Sequence, residues 1–165
     1  MSDSLSDCLS DTDPDAARTA SAAAPSAVLA PGASHVAELP LRWGDSDALN
    51  HLNNTLYFRL MEEARVQILY AAGLRVPGGD GPILAHASCD FLRSLTYPAT
   101  VRVTHVVTRV GRSSMELELL LEKVGDDSGP YARGRNVLVW MDNTANRSAP
   151  WPAETLAALA RVMRP

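Results

Sequence analysis

The segment GDSDALNHLNN, residues 44–54, gathers in one turn-forming stretch the residue types that can act on a carbonyl group. It holds the carboxylates of Asp45 and Asp47, the imidazole of His51, and the side-chain amides of Asn53 and Asn54. A hydrophobic pattern of helical period starts at Asn54, so this loop should feed directly into a helix. A helix N-terminus presents unpaired N–H groups and the positive end of the helix dipole, both suited to negative charge growing on a carbonyl oxygen. A carboxylate folded against that end can attack the carbonyl carbon or deprotonate a water that does. Simpler roles compete for the same residues. Asp45 reads first as a turn or capping residue, Asn53 as the N-cap of the helix, and His51 as a group that orients the loop rather than one that shuttles a proton.

The elements that must position this loop follow from periodicity. Leu39, Leu41 and Trp43 alternate with polar or Pro positions from about Val36, as in a half-buried strand. Residues 54–72 carry Leu56, Tyr57, Leu60, Met61, Ala64 and Ile68 on one broad arc, opposite Arg59, Glu62 and Glu63, and Gly73 is placed to end the helix in a left-handed conformation. After a Pro/Gly loop, Ile83, Ala85, Ala87, Cys89 and Phe91 alternate with His86, Ser88 and Asp90 in a second strand. Residues 101–110, 115–124 and 132–141 are three further long strands separated by turn formers, which predicts an antiparallel meander. Residues 153–163 read as a short helix on the rim. One strand, one long helix and then four strands predict an α+β fold in which about five antiparallel strands curl around the helix.

Composition narrows the function. With 46% hydrophobic and 21% charged residues the chain has globular proportions, and no apolar run reaches membrane-spanning length. Residues 1–37 hold five aspartates against Arg18 alone, which accounts for the whole net charge of −4. The neutral remainder offers no field for nucleic acid or an anionic membrane, so a polyanionic ligand must be held by local arginines. Residues 1–35, rich in Ser, Asp, Ala and Pro, are expected to be a disordered tail, leaving residues 36–165 as one domain. Pro25 and the preceding aspartates argue against a signal peptide. Cys8 and Cys89 form neither a disulfide framework nor a metal site, which suits a reducing cytoplasm. His35, His86 and His105 lack ligand spacing, so neither a metal nor a cofactor is expected. Counting from Asp45, a calcium loop would need an oxygen ligand, Gly and Glu where Leu49, Asn50 and Leu56 stand. There is no G-x-S-x-G elbow, P-loop or G-x-G-x-x-G.

The run RWGDSDALNHLNNTLYFRLMEEARVQIL, residues 42–69, resembles the signature of the 4-hydroxybenzoyl-CoA thioesterase family of hot-dog proteins, of the form D-x-D-x-x-G-H-V-N-N-x-x-Y followed by E-E-A-R. The later runs CDFLRSLTYP, TRVGRSSMELEL and RGRNVLVWMD resemble that family's strands in order. The resemblance implies a hot-dog fold, a homodimer or homotetramer with sites between subunits, and hydrolysis of an acyl-CoA to a free acid and CoA. By position it assigns the catalytic aspartate to Asp47 and the carbonyl-polarising backbone N–H to Asn54, with His51 beside them. Tyr57 matches the family's helix tyrosine, although its wheel position suits packing. Arg112 with Ser113 resembles the basic turn that meets the nucleotide part of CoA, and Arg93 is a second candidate for the phosphates. Glu62 and Glu63 read as a solvated face paired with Arg59 and Arg65. Glu63 remains a candidate substrate contact, because other hot-dog thioesterases carry their acid on this helix. The departure is Asn50, where the family usually has Gly; Asn is the least costly replacement in a left-handed conformation. Two other readings share the fold: a non-catalytic acyl-CoA-binding module, and an enoyl-CoA hydratase, for which the three residues between Asp47 and His51 are one short of the spacing associated with that family.

Overall fold

The structure is a computed structural model and describes residues 28–75 and 79–165. The expected disordered tail falls mostly on residues 1–27, outside that range. Packing begins earlier than Val36: Leu29 and Ala33 belong to the core, and Gly32 donates its N–H to the Val107 carbonyl at 2.8 Å.

The chain forms β1 (Ser34–Pro40), a 3-10 turn (Trp43–Asp45), α1 (Asn54–Ala71), β2 (Gly81–Phe91), β3 (Thr100–Val110), β4 (Ser114–Lys123), β5 (Ala132–Asp142), the two-residue β6 (Arg147–Ser148) and α2 (Ala153–Val162). All pairings are antiparallel, in the order β1-β3-β4-β5-β2, with β6 on β5. The expected meander is β3-β4-β5. Strand β2 cannot lie beside β3, whose two edges are taken by β1 and β4, and it occupies the free edge of β5 instead. Gly73 ends α1 with φ of 80°, as its position in the sequence predicts.

Alternation decides which side of the sheet meets α1. Val101, Val103 and Val107 of β3, Met115, Leu117, Leu119 and Leu121 of β4, and Ala132, Leu138 and Trp140 of β5 are buried against Tyr57, Leu60, Met61, Ala64 and Ile68 of the helix. Each large apolar side chain so buried contributes about 1.5–3 kcal/mol. The alternation predicted for β2 breaks at a bulge between Leu84 and His86. Ala87, Cys89 and Phe91 keep the register of the core-facing residues of β5, as does Leu84, whereas Ile83 and His86 pair with the outward Val139 and Val137. One extra residue moves Ile83 to the face opposite the one its spacing predicts. Cys89 packs against the core, its pKa pushed up to about 11 by burial and then by Asp90, which disfavours the reactive thiolate.

Helix and sheet are in close contact at Gly134. A Cβ there would lie 2.7 Å from Met61 Cε and 3.2 Å from the Ser88 carbonyl oxygen, so any larger residue requires the end of the Met61 side chain to shift. Three polar side chains also enter the core. Arg65, expected on a solvated face, is buried; its Nη2 lies 3.6 Å from Glu62, and the Asn136 amide oxygen, turned toward it, accepts from Nη1 at 3.3 Å. His105 is fully buried with both ring nitrogens unpartnered among the described residues. Burial, then Arg65 and His35, depress its pKa from 6.5 to about 3.

Two outcomes follow for stability. Gly134→Val should destabilise the fold by about 1–3 kcal/mol in urea unfolding, through overpacking against Met61. Neutral His105 takes up a proton on unfolding that it refuses when folded, so stability is complete above pH 6.5 and falls as pH drops from there toward 3. Urea midpoints between about pH 7.5 and 5, a window above the range where most carboxylates titrate, should therefore drop further in the wild type than in His105→Leu.

Candidate functional site

The loop between β1 and α1 is built around a carboxylate that never faces solvent freely. Asp45 has a side chain only 8% exposed; its Oδ2 accepts the Arg42 N–H at 2.7 Å and its Oδ1 accepts from Arg59 Nη2 at 2.7 Å. Its capping role in the 3-10 turn agrees with the reading from sequence. The Arg59 partner does not: Arg59 reaches back to this loop instead of along the helix to Glu62 and Glu63, because a buried carboxylate needs a counter-charge more than solvated ones do. The two ends of the loop meet where Asn53 donates its N–H to the Asp45 carbonyl at 3.0 Å and Ser46 bridges Leu52.

Inside this frame lies a tight turn. Asp47 donates its N–H to the His51 carbonyl at 2.8 Å, and Asn50 donates to the Asp47 carbonyl at 3.0 Å. Asn50 adopts φ of 61°, the left-handed conformation expected where the family motif carries Gly. The Asp47 carboxylate uses Oδ1 to accept the N–H groups of Leu49 at 2.8 Å and His51 at 3.1 Å. Its Oδ2 has no hydrogen-bond partner among the described residues. The link from His51 to Asp47 is thus main-chain, and the imidazole makes no bond to the carboxylate.

The helix start is set by Asn53, whose Oδ1 accepts from the Thr55 N–H at 3.0 Å and from the Thr55 hydroxyl at 2.8 Å. Leu56 donates to the Asn53 carbonyl, which leaves the Asn54 N–H without an acceptor among the described residues. Leu52 donates to the Leu95 carbonyl at 2.7 Å, fastening the loop to the segment that follows β2.

Asp47, Leu49 and His51 form one side of a cleft of about 320 Å³; Leu52, Asn54 and Tyr57 form its floor, and Phe91, Leu92, Arg93 and Ser94 its other side. Tyr57 is both buried packing and cleft floor, its ring edge-on to Phe91 with centroids 5.0 Å apart. The lining is mixed: Leu49, Leu52, Tyr57, Phe91 and Leu92 are apolar, whereas Asp47, His51, Asn54, Arg93 and Ser94 bring polar groups to it. Such a site can take an apolar group that carries a carbonyl.

Of the residues singled out by sequence, Asp47, His51, Asn54, Tyr57 and Arg93 share this cleft. Glu63 does not: it accepts from Gln67 and lines a separate groove with Leu39, Pro40, Arg42, Arg59 and Leu60. Arg112 and Ser113 are also elsewhere, at the β3–β4 turn. The register puts Phe91, Ala132, Lys123 and Thr100 at the sheet end near the cleft and Gly81, Trp140, Ser114 and Val110 at the other, about 30 Å away along the strands. The cleft residues Leu49, Phe91 and Leu92 were missed as site residues, since exposed apolar side chains carry no chemical signature in sequence. No helix among the described residues is long and apolar enough to cross a membrane, and no cluster of three metal-ligating side chains occurs among them.

Comparisons with known proteins agree with this architecture. A protein of Pseudomonas aeruginosa provisionally named a thioesterase is 40% identical, over 76% of this chain and 97% of its own, with a TM-score of 0.72. A 1,4-dihydroxy-2-naphthoyl-CoA thioesterase from Synechocystis shares the fold with a TM-score of 0.71 at 18% identity, over 80% of this chain and 99% of its own. YsmA, an uncharacterised protein of Bacillus subtilis, is 24% identical over 118 residues, 71% of this chain and 79% of its own. Residues 41–159, which span the loop, α1, the long strands and most of α2, match the thioesterase-like superfamily, and the chain belongs to that superfamily.

Proposed function

We propose that this protein is an acyl-CoA thioesterase whose reaction takes place in the Asp47 cleft. The observation that carries the reading is that Asp47, whose Oδ2 has no partner among the described residues, and Asn54, whose N–H has none either, line the same cleft. With the thioester carbonyl oxygen at the Asn54 N–H, the dipole end of α1 stabilises the charge that develops on that oxygen. Asp47 then acts on the carbonyl carbon, either directly, giving an acyl-aspartate anhydride that water hydrolyses, or by deprotonating the attacking water. In both routes the carbon–sulfur bond breaks and CoA leaves as the thiol. His51 orients the turn through its main chain. Superfamily membership and the thioesterase relatives support this reading over a binding module, which has no use for a free carboxylate beside a helix start.

Arg93, the only Arg or Lys lining the cleft among the described residues, is paired with Asp126, so in this reading a second copy supplies the cations that the phosphates of CoA require. Strand β2 is an edge of 11 residues with Ile83 and Leu84 exposed, whereas the edge of β1 is shorter, ends in Pro40 and is strapped at Ser34 by Arg164. An unprotected edge invites pairing. Two copies joined through β2 by a twofold axis run antiparallel, so the start of one β2 lies beside the end of the other. That arrangement carries the Arg112–Ser113 turn of the second copy to the cleft end of the first, where its guanidinium can meet phosphate.

Purified protein offered short, long and aromatic acyl-CoAs should release thiol from at least one, and Asp47→Asn should lower the rate by about a hundredfold or more. Full activity in Asp47→Asn would refute the assignment. Mixing inactive Asp47→Asn with Arg112→Met subunits should restore hydrolysis, because each mixed dimer has one site with both wild-type groups; no recovery contradicts the shared site. Asn50→Gly should keep the activity and Asn50→Val reduce it between about tenfold and a hundredfold, by displacing the turn that carries Asp47.

A further inference from the structure

Arg93 lies in the cleft wall, and a free guanidinium there would be an obvious anchor for phosphate. It is not free. Its Nη2 pairs with Asp126 Oδ2 at 3.1 Å and approaches the Tyr131 hydroxyl at 3.4 Å, its Nη1 donates to the Gly129 carbonyl at 3.3 Å, and its carbon Cζ stacks 4.2 Å from the centre of the Tyr131 ring. The Tyr131 hydroxyl donates to the same Asp126 oxygen at 2.6 Å, and the other oxygen accepts from the Ser128 N–H at 2.9 Å and from the Ser128 hydroxyl. These bonds, Ser128 foremost and then Tyr131, hold the Asp126 carboxyl well below the usual carboxylate range, so the grip on Arg93 is charged.

The same hub holds the main chain of the wall. The N–H groups of both Leu92 and Arg93 donate to the Tyr131 carbonyl, at 2.9 and 3.1 Å, while the Tyr131 N–H donates to Leu121 of β4 at 2.8 Å. The wall facing Asp47 is therefore fastened to the sheet through the β4–β5 loop. Gly125 at φ 83° and Gly129 at φ 102° turn that loop back so that Asp126 meets Tyr131.

We infer that Asp126 is a positioning residue: through Arg93 and Tyr131 it fixes the wall at residues 91–94 opposite Asp47 and so sets the fit of the acyl-carrying arm, and Arg93 serves this clamp instead of binding phosphate. The inference rests on the cleft being the thioester site. Replacing either end of the pair should loosen substrate binding more than it slows the chemistry.

The test compares wild type, Asp126→Asn, Arg93→Met and the double variant on an acyl-CoA and on the matching acyl-pantetheine, which lacks the nucleotide phosphates. The expected result is a KM raised about threefold to tenfold for both substrates, kcat changed less than about twofold, and a double variant no worse than either single one. An increase confined to acyl-CoA after Arg93→Met would show that Arg93 binds phosphate and overturn the clamp, as would unchanged constants in Asp126→Asn. Amide exchange without substrate gives an independent readout. Residues 91–94 should exchange faster in Asp126→Asn while the turn at residues 47–51 does not, and unchanged exchange would count against the clamp. A wild-type protein that hydrolyses neither thioester would instead remove the proposed function and leave exchange to decide the clamp.

Discussion

The contact between Asp45 and Arg59 is the constraint on which the rest of the site depends. A carboxylate taken out of water must be paired, and this one is held by a main-chain N–H on one oxygen and a guanidinium on the other, both at 2.7 Å. Arg59 is itself 44% exposed, so the pair adds modestly to global stability; its consequence is geometric. It fastens the start of the loop to the second turn of α1, and the loop's other end is already the N-cap of that helix. A segment pinned to one helix at two places has little freedom in between, and Asp47 and the Asn54 N–H lie in that interval.

The sheet meets α1 at the depth this arrangement needs. Gly134 lets the Met61 side chain pack directly on β5, within 2.7 Å of where a Cβ would stand. The cost of a helix so closely wrapped is visible in its polar residues: Arg65 is buried with Glu62 and Asn136 as partners, and His105 sits beneath it uncharged. The cleft thus has a rigid floor on α1, one wall set by its own loop and another set by a loop from between β4 and β5. These walls come from opposite halves of the sequence and are joined directly by the bond from Leu52 to Leu95.

Local rules were legible in the sequence, and partners distant along the chain were not. Alternation located five strands, four of them long, Asn53 was recognisable as an N-cap, and the motif position of Asn50 pointed to its left-handed conformation, because each depends on neighbours a few residues away. Arg59 was paired with Glu62 and Glu63 because helical spacing makes those candidates visible, whereas its partner is 14 residues away across a loop. The phase of β2 was lost at Ala85, where a bulge leaves no compositional mark. Arg93 invited a phosphate role by its type alone; nothing in its surroundings along the chain announced Asp126 and Tyr131, more than 30 residues on. The carboxylate and the helix start line one cleft because a single short loop contains both.

The most direct measurement is a crystal structure with an acyl-CoA analogue whose thioester sulfur is replaced by a methylene group, leaving a ketone that cannot be cleaved. The carbonyl oxygen should lie about 2.7–3.1 Å from the Asn54 nitrogen, with Asp47 Oδ2 facing the carbonyl carbon directly or through one water. A ketone turned away from the start of α1, or an acyl chain seated in the groove beside Glu63, would contradict the account.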